Sequence, residues 1–427
     1  MPCASCLMPF AFLIMYDICI IGGGAAGLFA CVQAASGGIK TAMFEKNTAA
    51  GRKLLITGGG RCNLTHLHKP KEFIDACEPY SRFLRHCIYE FSPQDTIDFF
   101  NSRGLPTICQ ADGCVFPQSQ KASDVRDLLT SLIKRSDAHI FYDKPVTTIS
   151  RTNEGFIVAH KAGQITAKSV IIATGGLSYP KTGSTGDGYT LAQSLGHTIT
   201  AVQSCLVPLI ARQYWVGKLA GVGVSNCGLL ETGDKKKNQI TGPLIFTDDG
   251  IGGPAVINFS RRILPKLAAG GAADITIDLI AGGTIEDFTA EFNGLCQANP
   301  KKDVSQLLSG YFSRSLISML AELACVDLSV KAAQFSKPGR TKLIAVIKSM
   351  PLTITGTKPI EQATVTRGGV STGEINPLTM ESKICPGLFF AGEVIDADAP
   401  CGGYNLQIAF STAALAAKSA SANLRST

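Results

Sequence analysis

Apolar and polar positions fall into two textures along the chain. Near the start, Ile18-Cys19-Ile20-Ile21 and Thr41-Ala42-Met43-Phe44 are short, largely apolar runs bounded by turn residues, as expected of buried parallel strands. Residues 25–35 between them read as a helix. Helical periodicity returns over 70–135, most clearly at 91–101 and 123–134. A β-excursion at 146–149 and 156–158 precedes Ser169-Val170-Ile171-Ile172-Ala173, another buried parallel strand. From about 197 the texture changes. β-type runs at 197–210, 222–231, 243–246 and 273–280 alternate with glycine-rich turns, predicting a small sheet or barrel. Residues 284–350 read as mostly helical, with 316–323 and 330–335 the clearer cases. After about 360 come glycine-rich loops, one buried strand (Leu388-Phe389-Phe390-Ala391) and a final helix over 405–418. The simplest arrangement is a discontinuous α/β domain, 15–195 with 360–427, around an inserted domain at 196–359 that is β-rich over 196–283 and helical over 284–350.

The turn after the first strand is Gly22-Gly23-Gly24-Ala25-Ala26-Gly27. Strand, tight glycine turn and helix in that order are the context a dinucleotide fingerprint requires. Gly22 permits the turn, Gly24 lets backbone approach a pyrophosphate, and Gly27 lets the helix pack on the strand. Glu45 closes the second strand 23 positions after Gly22. Its carboxylate suits the hydroxyls of an adenosine ribose.

Four further segments sharpen the dinucleotide to a flavin. The stretch 51–63 runs through Arg52, Lys53 and Gly58-Gly59-Gly60 to Arg61, Cys62 and Asn63. Its glycines let backbone press on a flat ligand, and Arg52 and Arg61 can neutralise phosphate or a substrate carboxylate. Ala173-Thr174-Gly175-Gly176 turns back at a strand end, where ligands bind in doubly wound sheets. The third segment is Arg367-Gly368-Gly369, with Glu374 and Asn376 beyond it. The fourth is Gly392-Glu393 followed by Gly402-Gly403-Tyr404-Asn405. A helix starting at Asn405 presents free N–H groups and a positive dipole end. Aimed at the flavin N1/C2=O edge, it would stabilise reduced flavin.

The bulk numbers narrow the classes. Apolar content of 45% and charge of 17% over 427 residues describe a soluble globular chain of two or three domains. A net charge of +7 is mild, and Lys235-Lys236-Lys237 beside Gly233-Asp234 reads as a solvated hairpin tip. No basic-aromatic face suggests nucleic acid, so none is expected as a partner. The 15 cysteines are odd in number and scattered, fitting a reducing cytoplasm, and the Cys3–Cys6 spacing is fortuitous. Cys62 has no resolving partner in sequence and reads as structural. His66 and His68, the one close histidine pair, read as a solvated loop without metal spacing. No second nucleotide fingerprint and no redox Cys-x₄-Cys pair accompany the first. Residues 7–15 are apolar but too short to span a bilayer, and no basic n-region precedes them. Residues 1–14 are therefore expected to be a disordered or untranslated leader, with Met15 the functional start and no membrane partner.

The strings GGGAAGL, GRKLLITGGGRCNLT, ATGGLSYPKTGSTGDGY, VTRGGVSTGEINPLTMESK and GLFFAGEVIDADAPCGGYNLQIAFS resemble the aminoacetone oxidase-like (BaiN/YhiN-type) bacterial flavoproteins, within the two-dinucleotide-binding-domain group. The resemblance runs from about 16 to 418. It implies non-covalent FAD, a Rossmann-like α/β domain, and an insert with β-barrel-like and helical parts. By motif, Gly22, Gly24, Ala25, Ala26 and Gly27 would hold pyrophosphate, and Glu45 with Lys46 the adenosine end. Arg52, Arg61 and Cys62 belong to the second glycine loop, and Val146 would meet adenine through its backbone. Gly392, Glu393, Gly403, Asn405 and Leu406 would line the ribityl and isoalloxazine region. Asp248 stands where the family usually has histidine, which bears on substrate choice.

The expected function is FAD-dependent oxidoreduction of a small molecule. NAD(P)H or an amine-type organic substrate would be the donor, with oxygen or an organic acceptor reoxidising the flavin. Arg61, Tyr179, Arg367 and Tyr404 are the candidates to face substrate. A flavin-binding redox sensor or partner-binding protein without steady turnover is the alternative. The sequence leaves oligomeric state open.

Overall fold

β1 (Met15–Ile21) is apolar and buried along most of its length because it lies inside a seven-stranded sheet. Its computed structural model describes residues 14–425, so the leader, Ile14 apart, lies outside the described residues. The sheet runs His139–Phe141, β2 (Thr41–Phe44), β1, Gly163–Ile172, Gly155–His160 and Val146–Thr152. Leu388–Phe390 is added beside the C-terminal half of Gly163–Ile172. β1 is parallel to β2 and to Gly163–Ile172, with Ile21 opposite both Phe44 and Ile172. The three strands therefore end level, and the loops that leave them converge on one edge. Ligands bind at that edge in open α/β sheets.

α1 (Ala25–Ser36) joins β1 to β2, and the C-terminal helix Tyr404–Arg425 packs along it. Phe29 of α1 is wholly buried, with the rings of Phe91, Phe99 and Phe410 at 5.0, 4.8 and 5.0 Å. Buried Gln407 binds this helix to the preceding segment: it accepts from Thr96 Oγ1 (2.7 Å) and donates to Phe91 O (3.1 Å).

The chain divides into two compact units. One comprises the chain up to Gln203 together with Val365 onwards, and the other is Ser204–Thr364. The second holds a closed antiparallel barrel in the order Leu209–Ala211, Gly250–Gly252, Ile240–Phe246, Gly223–Glu231, Ala273–Asp278 and Met350–Thr357. Helices Ile285–Ala298, Arg314–Ala324 and Lys337–Lys348 share its core. The α/β class with a barrel and helical part is thus the observed fold.

Three local expectations need correction. Residues 330–335 are not a helix but contain one 3₁₀ turn, Ala332–Gln334. Val330 O accepts from Val304 N (3.1 Å) and Ala332 N donates to Lys302 O (2.9 Å), so tertiary pairing overrides the local pattern. The stretch 70–135, read as helical, also holds the strands Thr107–Cys109 and Cys114–Pro117, which form a three-stranded sheet with Thr65–His66 and are too short for a clear alternation. The final helix extends to Arg425. Lys235, Lys236 and Lys237 are exposed at a turn between two barrel strands, as expected of a hairpin tip. No helix among the described residues is long and apolar enough to cross a membrane.

Replacing Phe29 with alanine empties the centre of the aromatic cluster between α1 and the C-terminal helix. We expect a loss of about 3–5 kcal/mol in unfolding free energy. It is read as a lower denaturant midpoint at unchanged slope.

Candidate functional site

At the end of β1, Gly22 N donates to Phe44 O (2.8 Å) and the chain turns with Gly22 at φ +102°. A Cβ on Gly22 would lie 2.6 Å from Ala173 O, and one on Gly27 would overlap Gly22 O. Only glycine at both positions lets α1 start this close to the sheet. No side chain caps the start of α1, so its first N–H groups and positive dipole end remain for an anion. A Cβ on Gly24 would meet nothing within 4 Å. The turn is open where a ligand would approach.

This turn forms one wall of a groove lined also by residues 45–47, 51–53, 144–146, 182–184, Thr174 and Asp187. Gly22, Gly24, Glu45, Lys46, Arg52, Lys53, Val146 and Thr174 are therefore brought together as the motifs suggested. Glu45 is buried, and Oε2 accepts from Gly23 N (2.8 Å) while Oε1 accepts from Asn47 N and Nδ2 (2.7 Å each). One acceptor position on Oε2 is left over. Lys46 is engaged by Asp187 at 2.7 Å and by Thr185. Thr174 Oγ1 is buried in the groove wall with no protein partner, a group that a ligand can satisfy. Asn47, Lys144, Thr182, Ser184 and Asp187 escaped the sequence reading. The glycines flanking Ser184 and Thr185, Gly183 (φ +106°) and Gly186 (φ +80°), were the available signal.

Lys53 leads from the groove to a second cluster. Its Nζ lies 2.6 Å from Glu393 Oε2 and 2.6 Å from Ser178 Oγ. Ser178 Oγ in turn donates to Glu393 Oε1 at 3.1 Å, which also accepts from Thr366 N at 2.8 Å. Thr366 Oγ1 accepts from Leu177 N (2.8 Å) and Ser178 N (3.0 Å). Four separate segments thus meet on one carboxylate and one hydroxyl. Ser178 and Thr366 fall within the ATGGLSYP and VTRGGV strings but were given no role of their own in sequence.

The other candidates sit around these two clusters. Ala25 and Ala26 open α1, and Gly175 continues from Thr174 in the left-handed region (φ +74°). Gly60 and Arg61 are exposed on the second glycine loop, whereas Cys62 is buried. Burial pushes the Cys62 thiol up to about 12, against a smaller lowering by a hydrogen bond with Thr57. Tyr179 adopts φ +54° and keeps its side chain partly exposed. Arg367 is held by Asp398 at two points, 2.8 and 3.0 Å, and Asp398 is fully buried. Gly392 N donates to Thr412 Oγ1 (3.0 Å). Asn405 pins the loop before the last helix, accepting from Ala399 N (3.0 Å) and donating to Ala399 O (2.8 Å) and Pro400 O (3.1 Å). Leu406 is half-buried against the same core, and Gly403 precedes that helix at φ +93°.

Tyr404 is buried, and its hydroxyl lies 2.9 Å from His68 Nδ1. Burial raises its pKa. His66 stacks on the Tyr404 ring at 5.1 Å and contacts His68 at 3.9 Å between centroids. The pair expected to form a solvated loop instead belongs to an aromatic cluster, because Thr65–His66 is a strand paired with Cys114 and Val115. No cluster of three or more metal-ligand side chains occurs among the described residues.

A family model described as the HI0933-like protein Rossmann domain matches residues 16–419. The chain is 33% identical over 408 residues to a 3-dehydro-bile acid delta(4,6)-reductase of Clostridium scindens, covering 95% of this chain and 99% of that one. It is 30% identical over 403 residues to a ribosomal RNA dihydrouridine synthase of Escherichia coli strain K12, covering 93% and 96% respectively. Among solved structures, a 3-ketosteroid delta1-dehydrogenase from Sterolibacterium denitrificans matches with a TM-score of 0.54 at 13% identity, over 96% of this chain and 100% of that one. The last likeness is one of fold.

Two outcomes follow from these contacts. Glu393→Gln keeps the acceptor for Thr366 N but removes the charge facing Lys53, and should cost about 1–3 kcal/mol of stability in denaturant unfolding, with weaker flavin retention. On peptide mapping after brief alkylation at neutral pH, the exposed Cys109 and Cys325 should carry label. Cys62 should label only after unfolding.

Proposed function

This chain belongs to the HI0933-like family of FAD-binding flavoprotein oxidoreductases, and from that membership we propose that it reduces a carbon–carbon double bond conjugated with a carbonyl, with NAD(P)H as donor. The observation that carries this reading is near-complete coverage by two relatives, one named a 3-dehydro-bile acid delta(4,6)-reductase and the other a ribosomal RNA dihydrouridine synthase. The net reaction consumes NAD(P)H, a proton and the unsaturated carbonyl compound, and yields NAD(P)+ and the saturated product. Bound FAD supplies the hydride-exchanging centre, which no side chain in the site can provide.

The chain's own groups bind and orient. The 22–27 turn and the uncapped start of α1 fit a pyrophosphate. The spare position on Glu45 Oε2 fits a ribose hydroxyl, and the Val146 main chain borders the groove where adenine would lie. Gly392, Glu393, Gly403, Asn405 and Leu406 form the flavin-facing set of this proposal. Glu393 is held in place by Lys53 and Thr366. Of the four candidates to face substrate, Arg61 and Tyr179 have exposed side chains. Arg367 and Tyr404 act by holding Asp398 and His68.

A small molecule is the substrate we favour. The E. coli relative favours a second reading, a uridine in RNA. Anaerobic titration of the purified yellow protein with NADH and NADPH, following flavin absorbance, tests the donor. Bleaching by either is expected, with colour returning on adding a 3-oxo-4-ene steroid acid. Colour returning only with a uridine-containing ribosomal RNA fragment selects the second reading. Failure of both nucleotides to bleach bound flavin overturns the nicotinamide donor and leaves oxidation of an amine-type substrate.

A further inference from the structure

We propose that Arg61 is a prepositioned anion receptor in the substrate site, taking a carboxylate or phosphate carried by the substrate; this rests on the reductase reading above. Gly58, Gly59 and Gly60 follow one another at φ +57°, +67° and +86°. Packing explains only the first: a Cβ on Gly58 would lie 2.9 Å from Asn63 N and 3.0 Å from the Phe116 ring. On Gly59 it would meet nothing within 4 Å, and on Gly60 only Leu55 O at 3.9 Å. The left-handed run therefore turns the backbone in open space and delivers Arg61 to a fixed place.

That place is unusually well defined for an exposed arginine. The guanidinium carbon stands 4.3 Å from the centroid of Phe116, a buried ring in a strand paired with Thr107–Cys109. Arg61 Nε donates to Gly58 O at 3.1 Å. Stacking and one hydrogen bond fix the plane of the group, and both terminal nitrogens have no partner among the described residues. Other cations differ: Lys46, Lys53 and Arg367 are matched to carboxylates at 2.6–2.8 Å, and Arg52 of the same loop bonds Thr48 Oγ1 at 3.1 Å and lines the groove. Earlier in the same loop, Gly51, Arg52 and Lys53 line the groove.

Holding an arginine still costs side-chain entropy that a solvated cation keeps. A planar guanidinium fixed in advance loses less on binding and offers two parallel N–H donors, the geometry that matches carboxylate or phosphate.

The test uses oxidised, FAD-loaded protein without reductant, so that ligands bind but do not react. Isothermal titration calorimetry compares 3-oxochol-4-en-24-oic acid with its methyl ester, and uridine monophosphate with uridine. In wild type, the charged member of one pair should bind roughly 10-fold or more tightly than its neutral twin, the range of a charge-assisted bond. Discrimination in the first pair assigns a carboxylate, and in the second a phosphate. Arg61→Gln should erase the difference while flavin content is retained, and Arg61→Lys should restore part of it. Discrimination in neither pair, or discrimination that survives Arg61→Gln, overturns the proposal. Arg61-dependent binding of an acid that NADH and NADPH then fail to reduce would instead remove the reductase reading.

Discussion

The ion pair between Lys53 and Glu393 ties together parts of the chain that are 340 positions apart. Glu393 follows the short strand Leu388–Phe390, and Lys53 follows β2, so their contact joins the C-terminal return of the domain to its N-terminal half. Ser178 and Thr366 add two more segments through hydrogen bonds of 2.6–3.1 Å. Lys53, Ser178 and Glu393 lie in loops or short 3₁₀ turns, and only Thr366 sits in a strand, the short Val365–Val370. A charged, partly buried centre is well suited to holding such segments. Charge-assisted bonds are directional, and losing one partner leaves the other desolvated and unmatched. The groove beside it can therefore be lined by loops and still keep a defined shape.

The parallel core and its first turn were legible because the physics there is local. A buried strand must be apolar, and the Gly22 and Gly27 positions tolerate no side chain, so the constraint is written in the residues themselves. The barrel was legible in outline from short alternating runs. What stayed hidden depended on distant partners. Residues 330–335 carry apolar spacing that suits a helix, yet their backbone pairs with the segment around Val304. Ser178 and Thr366 are ordinary residues until Glu393 is placed between them. His66 and His68 look like a loop pair until Tyr404 arrives from the last helix.

The same limit explains why charge in sequence is a poor guide to a binding site. Lys46, Lys53, Arg61 and Arg367 all stand in glycine-rich or strand-end contexts, and sequence offers no way to rank them. Their surroundings separate them by role. Three are neutralised by carboxylates, and Arg367 pairs with a fully buried one, so their charge acts on the fold. A buried or half-buried pair of this kind holds position and contributes little net field to its surroundings. Arg61 alone among the four has no carboxylate partner among the described residues, which is the ground of the role proposed for it.

Two relatives at 33% and 30% identity over nearly the whole chain carry names with different substrates, a bile acid derivative and ribosomal RNA. Such similar distances mean that overall similarity does not separate those substrates. The difference must then lie in a few groups placed where substrate arrives. A steroid acid and a nucleotide are unlike in shape, yet both present an anion some distance from an unsaturated carbonyl. Under the proposal for Arg61, an exposed arginine held against Phe116 would read that common feature, and the apolar or polar surface around it would select between the rest. On that proposal, specificity would lie in loop residues supported from beneath by buried rings and ion pairs, while the sheet that carries them stays the same.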